Sequence, residues 1–422
     1  MAASLANWSG NIVFGAPQHS SPASLPDLQS TVAHSTKVRA LGSRHSFSDI
    51  ADTTGVLVRL DDMPSVFEID TAAATVKVSA NMRYAELAQR LHAQGWAVHN
   101  LASLPHISIA GACATATHGS GVGNRNLATS VSALELVTAE GDLVTLSRDE
   151  DGDQFQGAVV GLGALGVVVS ITLDLVPAFE MAQNVYQNLP FAALDDHYSE
   201  IVSSAYSVSL FTDWRGPLIN QVWVKRRVDS SAPAIDGDWF GARPATVALN
   251  PVPGVSGENC TEQFGVPGPW HERLPHFRSE FTPSAGEELQ SEYFVPREHA
   301  VAAVHALSGI ADRIAPVLQI SEFRTIAADT LWMSPAYRQD VSAFHFTWIK
   351  DVSAVTPVLG LIEERLAPYS VRPHWGKLFT TPPAVLRARF ERLADFQALV
   401  RQYDPTGKFT NDFLARTVFA DS

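Results

Sequence analysis

The sequence predicts an α+β protein of two domains, and three observations carry that prediction. A chain of 422 residues corresponds to two domains at roughly 150 residues each. Apolar residues make up 46% and charged residues 18%, the composition of a chain that buries a core and does not stay disordered. After Pro177 the patterning changes from short strands mixed with helix to longer alternating strands richer in tryptophan. These observations place a first domain at 1–178, a second at 179–378, and a C-terminal helix and tail at 379–422 that pack back on the first.

The elements follow from local chemistry. Val38-Arg39-Ala40-Leu41 is a short strand that runs straight into Gly42-Ser43-Arg44-His45-Ser46. Val76, Val78 and Ala80 alternate with Lys77 and Ser79 in a half-buried strand. Asn81 is then the expected N-cap of a helix with the stripe Tyr84, Leu87, Ala88 and Leu91, stopped by Gly95. Residues 134–137 and 143–146 flank Glu140-Gly141-Asp142 as a hairpin. Residues 250–269, rich in Pro and Gly, read as a long ordered loop, and Leu386, Phe390, Leu393 and Phe396 share one helical stripe before a turn at Asp404-Pro405-Thr406-Gly407.

Charge and cysteine usage exclude several functions. Thirty Lys and Arg against 44 Asp and Glu leave a formal charge of -14, which repels a phosphate backbone, so no nucleic-acid partner is expected. The densest basic run, Lys225-Arg226-Arg227, reads as a solvated strand end. Cys113 and Cys260 alone make neither a disulfide framework nor a metal site. Residues 1–17 lack a basic segment followed by an apolar one, and no run reaches the ~18 apolar residues of a membrane span. The expectation is a cytoplasmic monomer in a reducing compartment, off the membrane.

Two loops suit a ligand pressed against backbone. The Gly42 to Ser46 turn lets N–H groups converge without side chains in the way. From Ala110 to Gly121, every residue except Cys113 and His118 is Gly, Ala, Ser or Thr, which favours close approach to a flat or extended molecule. No Rossmann glycine pattern opens a helix after a strand, and no phosphate-loop lysine is present, so the ordinary dinucleotide and triphosphate readings fail. Gly161, Gly163 and Gly166, ahead of Val167, fit a tight packing corner as well as a ligand contact.

Strand parity supplies candidate chemistry. In Ile320-Ser321-Glu322-Phe323-Arg324-Thr325-Ile326, Glu322 and Arg324 share a face. In Phe344-His345-Phe346-Thr347-Trp348 the aromatics take the core face, and His345 and Thr347 the other; Gln290 shares a face with Glu292. Polar groups turned into one cavity would suit a neutral polyhydroxylated molecule, because unpaired site groups penalise analogues lacking the hydroxyls. From spacing alone, a cleft and a solvent face of an ordinary sheet fit equally well.

Taken together, the Gly42 to Ser46 loop, Ser103-Leu104-Pro105-His106-Ile107-Ser108 and Thr117-His118-Gly119-Ser120-Gly121 resemble the vanillyl-alcohol-oxidase (PCMH) type of FAD-binding domain. His374-Trp375-Gly376-Lys377, Thr261 through Trp270 and Tyr403 through Phe409 narrow the resemblance to the bacterial alditol (xylitol) oxidases. The resemblance covers essentially the whole chain and implies that FAD-binding fold with a mixed-sheet substrate domain. It implies FAD attached covalently through His45, with Arg44 a departure from the Gly often found before that histidine. The other cofactor contacts it implies are Gly42, Ser43, Ser46, Ser103, Ser108, Gly111, Ala114, Thr115, Thr117, His118, Gly119, Gly166, Val167 and Lys377. It assigns Glu322, Arg324, Lys377 and Ser103 to catalysis, and Gln290, His345 and Thr347 to the more distant hydroxyls. The implied reaction oxidises the terminal CH–OH of an alditol such as xylitol or sorbitol to the aldehyde, with O2 reduced to hydrogen peroxide. An aldonolactone oxidase or dehydrogenase, or a flavin-binding protein without turnover, are the alternatives.

Overall fold

The computed structural model describes residues 5–230, 239–281 and 286–420. In the first part of the chain, the parallel strands Gln18–Ser20, Val56–Val58 and Val38–Ala40 form one small sheet, in that order. A second, five-stranded antiparallel sheet runs Phe67–Asp70, Thr75–Ser79, Val167–Asp174, Val131–Val137 and Leu143–Ser147. Val76 and Val78, adjacent on one face of their strand, are fully buried, as their alternation requires. The helix is Tyr84–His92, with Tyr84, Leu87, Ala88 and Leu91 inward. Asn81 does not cap it: Arg83 holds the N-cap position and Asn81 donates to Leu60 O at 3.1 Å, because the entering chain is tied to the strand before it.

From Glu180 a further sheet begins, with nine strands. Its path is Arg243–Pro244, Glu180–Pro190, Leu218–Arg227, Ser207–Thr212, Leu318–Ile326, Val341–Trp348, Leu289–Pro296 and Arg372–Pro373, with Gly268–Pro269 also on Glu180–Pro190. Every strand pairing in it among the described residues is antiparallel, where a mixed sheet was expected, because its neighbouring strands run in opposite directions throughout. One face packs on the helices Ala193–Ser203, Ala300–Ser308 and Val352–Leu366 through Tyr293, Phe323, Phe344, Phe346 and Trp348. The opposite face carries the polar residues. Among the described residues no single helix is long and apolar enough to cross a membrane.

Two further sequence expectations change in the tertiary structure. Lys225 is not a solvated strand end: it is fully buried in an internal strand and donates to Arg273 O at 2.6 Å and Pro275 O at 2.8 Å. The C-terminal stripe is not one helix but two, Pro383–Arg389 and Leu393–Tyr403, with Phe390 extended between them. Phe390 leaves the helix because its ring is drawn against Trp375, 4.7 Å between centroids, and burying that aromatic pair outweighs one more helical turn.

The C-terminal segment is fastened to the first sheets by buried cations. Lys408 Nζ donates to Val32 O, Ala33 O and Ala139 O at 2.7, 3.2 and 2.6 Å, and Arg39 donates to Gly163 O and Phe409 O at 2.7 and 3.1 Å. Lys408→Met would take the ammonium donor from three carbonyls, of which, among the described residues, only Val32 O keeps another donor, Ser35 N, and is expected to cost about 3 kcal/mol of unfolding free energy. Urea unfolding checks this, and an unchanged midpoint would show that the C-terminal segment is held by apolar packing alone.

Candidate active site

One cavity of about 720 Å³ runs from the residue 42–48 loop, along the helix Ile109–Ala114, to the polar face of the nine-stranded sheet. Its first half is a backbone cradle. A Cβ on Gly42 would fall 2.4 Å from Ser108 Oγ and one on Gly111 2.8 Å from the same atom, so glycine is required for the two loops to approach. Ser43 Oγ accepts from Ser108 N at 3.0 Å and Ser108 Oγ from Ser43 N at 3.3 Å, which locks them. Arg44 holds φ +65°, a left-handed conformation costing a non-glycine residue roughly 1–2 kcal/mol, which accounts physically for a glycine preference there.

His45 projects from this loop under Trp8, whose ring stacks on it at 5.2 Å. Both ring nitrogens are withdrawn from solvent and make no hydrogen bond of ordinary geometry. Burial pushes the imidazole down to about 4, with the Ser43 backbone opposing weakly, so the ring is neutral at physiological pH. The N-terminal segment straps the loop down: Asn7 donates to Ser46 O, Asn11 to Phe47 O, and Trp8 N to Arg44 O.

The second half of the cavity is ionic. Register aligns Glu322, His345 and Glu292 side by side on three adjacent strands, with Phe323, Phe344 and Tyr293 in the next row on the core face. Glu292 is 1% exposed and accepts from Lys377 Nζ at 2.6 Å and Arg324 at 3.0 Å, with His118 Nε2 at 3.3 Å. Burial alone would raise its pKa; Lys377, His118 and Arg324 outweigh that and hold it well below the carboxylate range. Glu322 is likewise held far down, Arg324 and then His276 overcoming burial. Burial lowers Lys377 while Glu292 pulls it back up. His345, pushed down to about 4 by burial and then Lys377, accepts from Lys377 at 2.7 Å on Nδ1 and faces Thr347 Oγ1 at 3.2 Å with Nε2.

Lys377 reaches this wall from a turn nailed by Trp375, which is fully buried and donates to Met333 O at 2.7 Å. The same turn meets the cradle, since Phe47 N donates to Gly376 O. Ser103 Oγ accepts from Arg324 at 3.1 Å, and Gln290 donates to Glu288 at 2.5 Å.

The residues singled out in the sequence are therefore brought together around one cavity, with two exceptions. Gly119 does not line it; a Cβ there would sit 2.5 Å from Leu101 O, so the glycine serves chain packing. Val167 is fully buried in apolar packing with Val38 and Val137, and its neighbour Val168 lines the cavity instead, a one-residue parity shift after Gly166. Glu292 was visible only as the parity mate of Gln290. His276, 2.8 Å from Glu322, and Trp8 left no periodic signal.

Comparison with known proteins gives an FAD binding domain at residues 21–147 and a D-arabinono-1,4-lactone oxidase domain at 286–417. The chain is 55% identical to an alditol oxidase of Streptomyces sp., over 98% of this chain and 99% of the relative. It is 29% identical to an L-gulono-1,4-lactone dehydrogenase of Mycobacterium tuberculosis, over 98% of each. The fold matches a cholesterol oxidase from Brevibacterium sterolicum with TM-score 0.78 at 14% identity, covering 98% of this chain and 96% of that one. The cavity fits FAD on its own evidence: a backbone cradle at Gly42 and Gly111 with no room for a Cβ beside Ser108, and a neutral imidazole whose two nitrogens are withdrawn from solvent without a hydrogen bond of ordinary geometry.

The ionic wall generates a prediction. Glu292→Gln leaves Lys377 without its carboxylate and Arg324 with Glu322 alone, and is expected to cost about 3 kcal/mol at pH 7. Because the folded-state pKa of Glu292 is depressed, its contribution is complete above the unfolded value of about 4.3 and disappears as pH falls through the folded value. Urea unfolding of parent and variant should differ most at neutral pH and converge in acid. A constant difference across that range would show that packing, not charge, is responsible.

Proposed function

We propose a mode of action for a chain that belongs to the alditol oxidase family of FAD-dependent oxidoreductases, oxidising alditols with O2 as acceptor: it takes polyols such as xylitol and sorbitol by the terminal CH–OH, forms the aldehyde and releases hydrogen peroxide. One observation of the site carries this reading. On one wall, Glu292 and Glu322 balance Arg324 and Lys377, and hydroxyl-matching groups on Gln290, His345 and Thr347 stand beside them. A charge-balanced wall favours a neutral polyhydroxylated substrate over a charged one, and its polar groups penalise analogues lacking hydroxyls.

FAD held by Gly42, Ser43, His45, Ser108 and Gly111 would supply the two-electron oxidation of the carbinol, with O2 as the final acceptor. Glu322 accepts the hydrogen bond of the reacting hydroxyl and receives its proton. Arg324 holds that carboxylate charged, so that it can accept the hydroxyl's hydrogen bond. Arg324 and Lys377 donate to the same oxygen as negative charge grows on it. Ser103 keeps Arg324 in register, and Gln290, His345 and Thr347 hold the distal hydroxyls.

Peroxide release across a panel tests the reading. Xylitol and sorbitol should exceed L-gulono-1,4-lactone by tenfold or more, on the scale of losing matched hydroxyl contacts. A preference for the lactone would move the chain to aldonolactone oxidation, and flavin that never bleaches anaerobically with any polyol would leave only a binding role.

The covalent link is a second part of the proposal. His45, neutral and without a hydrogen bond of ordinary geometry on either nitrogen, is the residue suited to bond the flavin methyl carbon. Acid-precipitated parent protein should stay yellow and His45→Ala should release its colour. FAD free in the supernatant of the parent would refute the link.

A further inference from the structure

Glu322 does not stand alone at the cavity wall. His276 Nε2 lies 2.8 Å from Glu322 Oε1, and both side chains are buried. The imidazole is walled by Phe211 and Trp223, with centroids 5.5 and 5.1 Å away. Its backbone is pinned as well: His276 N donates to Ser103 O, and His276 O accepts from Thr261 N. Immediately before it, the buried Lys225 clamps Arg273 O and Pro275 O. Since Ser103 Oγ accepts from Arg324, and Arg324 Nε lies 3.4 Å from Glu322 Oε1, the four residues Ser103, Arg324, Glu322 and His276 close a ring.

The ring fixes which proton faces the carboxylate. Burial pushes His276 down to about 4 against the opposing pull of Glu322, so the imidazole is neutral at physiological pH. Nδ1 has no hydrogen-bond partner, and the one ring proton therefore belongs on Nε2, where it meets an acceptor. Among the described residues, the contacts made to Glu322 fall on Oε1, which leaves Oε2 for the cavity.

We propose that His276 is a positioning residue for alcohol oxidation: by donating Nε2–H to Glu322 Oε1, it turns the carboxylate so that Oε2 meets the hydroxyl whose proton leaves. The inference rests on the alditol-oxidising reading above. In the step it serves, the substrate O–H bond breaks toward Glu322 Oε2 while the carbinol hydrogen departs with its electron pair to the flavin, and His276 neither gains nor loses a proton. Glu322 is faced by Arg324 on its own strand, His345 on the adjacent strand, Lys377 from the turn after Arg372–Pro373, and His276 itself, with Lys225 behind the imidazole. Deleting His276 removes one of the groups that hold the carboxylate low. The acidic limb of the reduction rate then moves toward neutral pH.

The test is anaerobic flavin reduction by xylitol across pH, with the holoenzyme carrying His276→Phe or His276→Gln. For His276→Phe with normal flavin content and melting temperature, the limiting reduction rate should fall tenfold or more, since misplacement of about 1 Å can cost 10²-fold. Half-saturating xylitol should stay within about threefold, the signature of lost positioning with binding retained. The acidic limb should rise by about one pH unit. His276→Gln, whose amide N–H can reach Oε1, should recover most of the rate. Should His276→Phe fail to fold, His276→Asn, with an amide too short to reach, takes its place. Reduction within about twofold of the parent with an unmoved limb overturns the proposal, as does equal slowing by both variants without a limb shift, which marks packing alone. If no polyol reduces the parent protein, the underlying reading of the site falls, and the role of His276 with it.

Discussion

The carboxylate of Glu292 is the constraint on which the rest of the site depends. It is almost fully buried, and burial of an unpaired charge would be prohibitive, so Lys377, Arg324 and His118 must converge on it. Those three come from a turn, a strand two places away in the same sheet and the small-residue loop of the first sheets. One charge thereby fixes the cradle, the cationic pair and the nine-stranded sheet relative to one another. The cations in turn are available to a substrate oxygen only because a fixed anion keeps them charged inside the cleft.

The sheet works as a platform with two unlike faces. Antiparallel register puts Phe323, Phe344 and Tyr293 in one row on the helices and Glu322, His345 and Glu292 in the next row on the cavity, the strands lying about 4.8 Å apart. That spacing lets the carboxylates and the imidazole share cations, with His345 Nδ1 3.8 Å from Glu292 Oε2. A register slip of one residue would exchange the faces and bury the ionic row against aromatic rings.

The cradle accepts local cost for close approach. Arg44 occupies a left-handed conformation, and Trp8, Asn7 and Asn11 hold the loop from the N-terminal side. The Gly376 carbonyl holds it from the side of Lys377. Strain persists in such loops only where the surroundings over-determine them, and here the strap and the turn do so.

Much of this was legible in the sequence. Alternation put Glu322 with Arg324, and His345 with Thr347, on a shared face that the structure turns to the cavity, small residues marked the cradle, and the motif resemblance pointed to the flavin family that comparison then showed. These are properties of two-residue periodicity and of side-chain size, which a chain carries locally. The burial of Lys225, the break at Phe390, the packing role of Gly119 and the pairing of His276 with Glu322 were decided only in the tertiary structure. Each depends on which groups from distant segments come within a few ångströms and on how much water they lose there. Neither quantity has a local signature, whereas the alternation that sends a side chain to one face of a strand is already complete in the sequence.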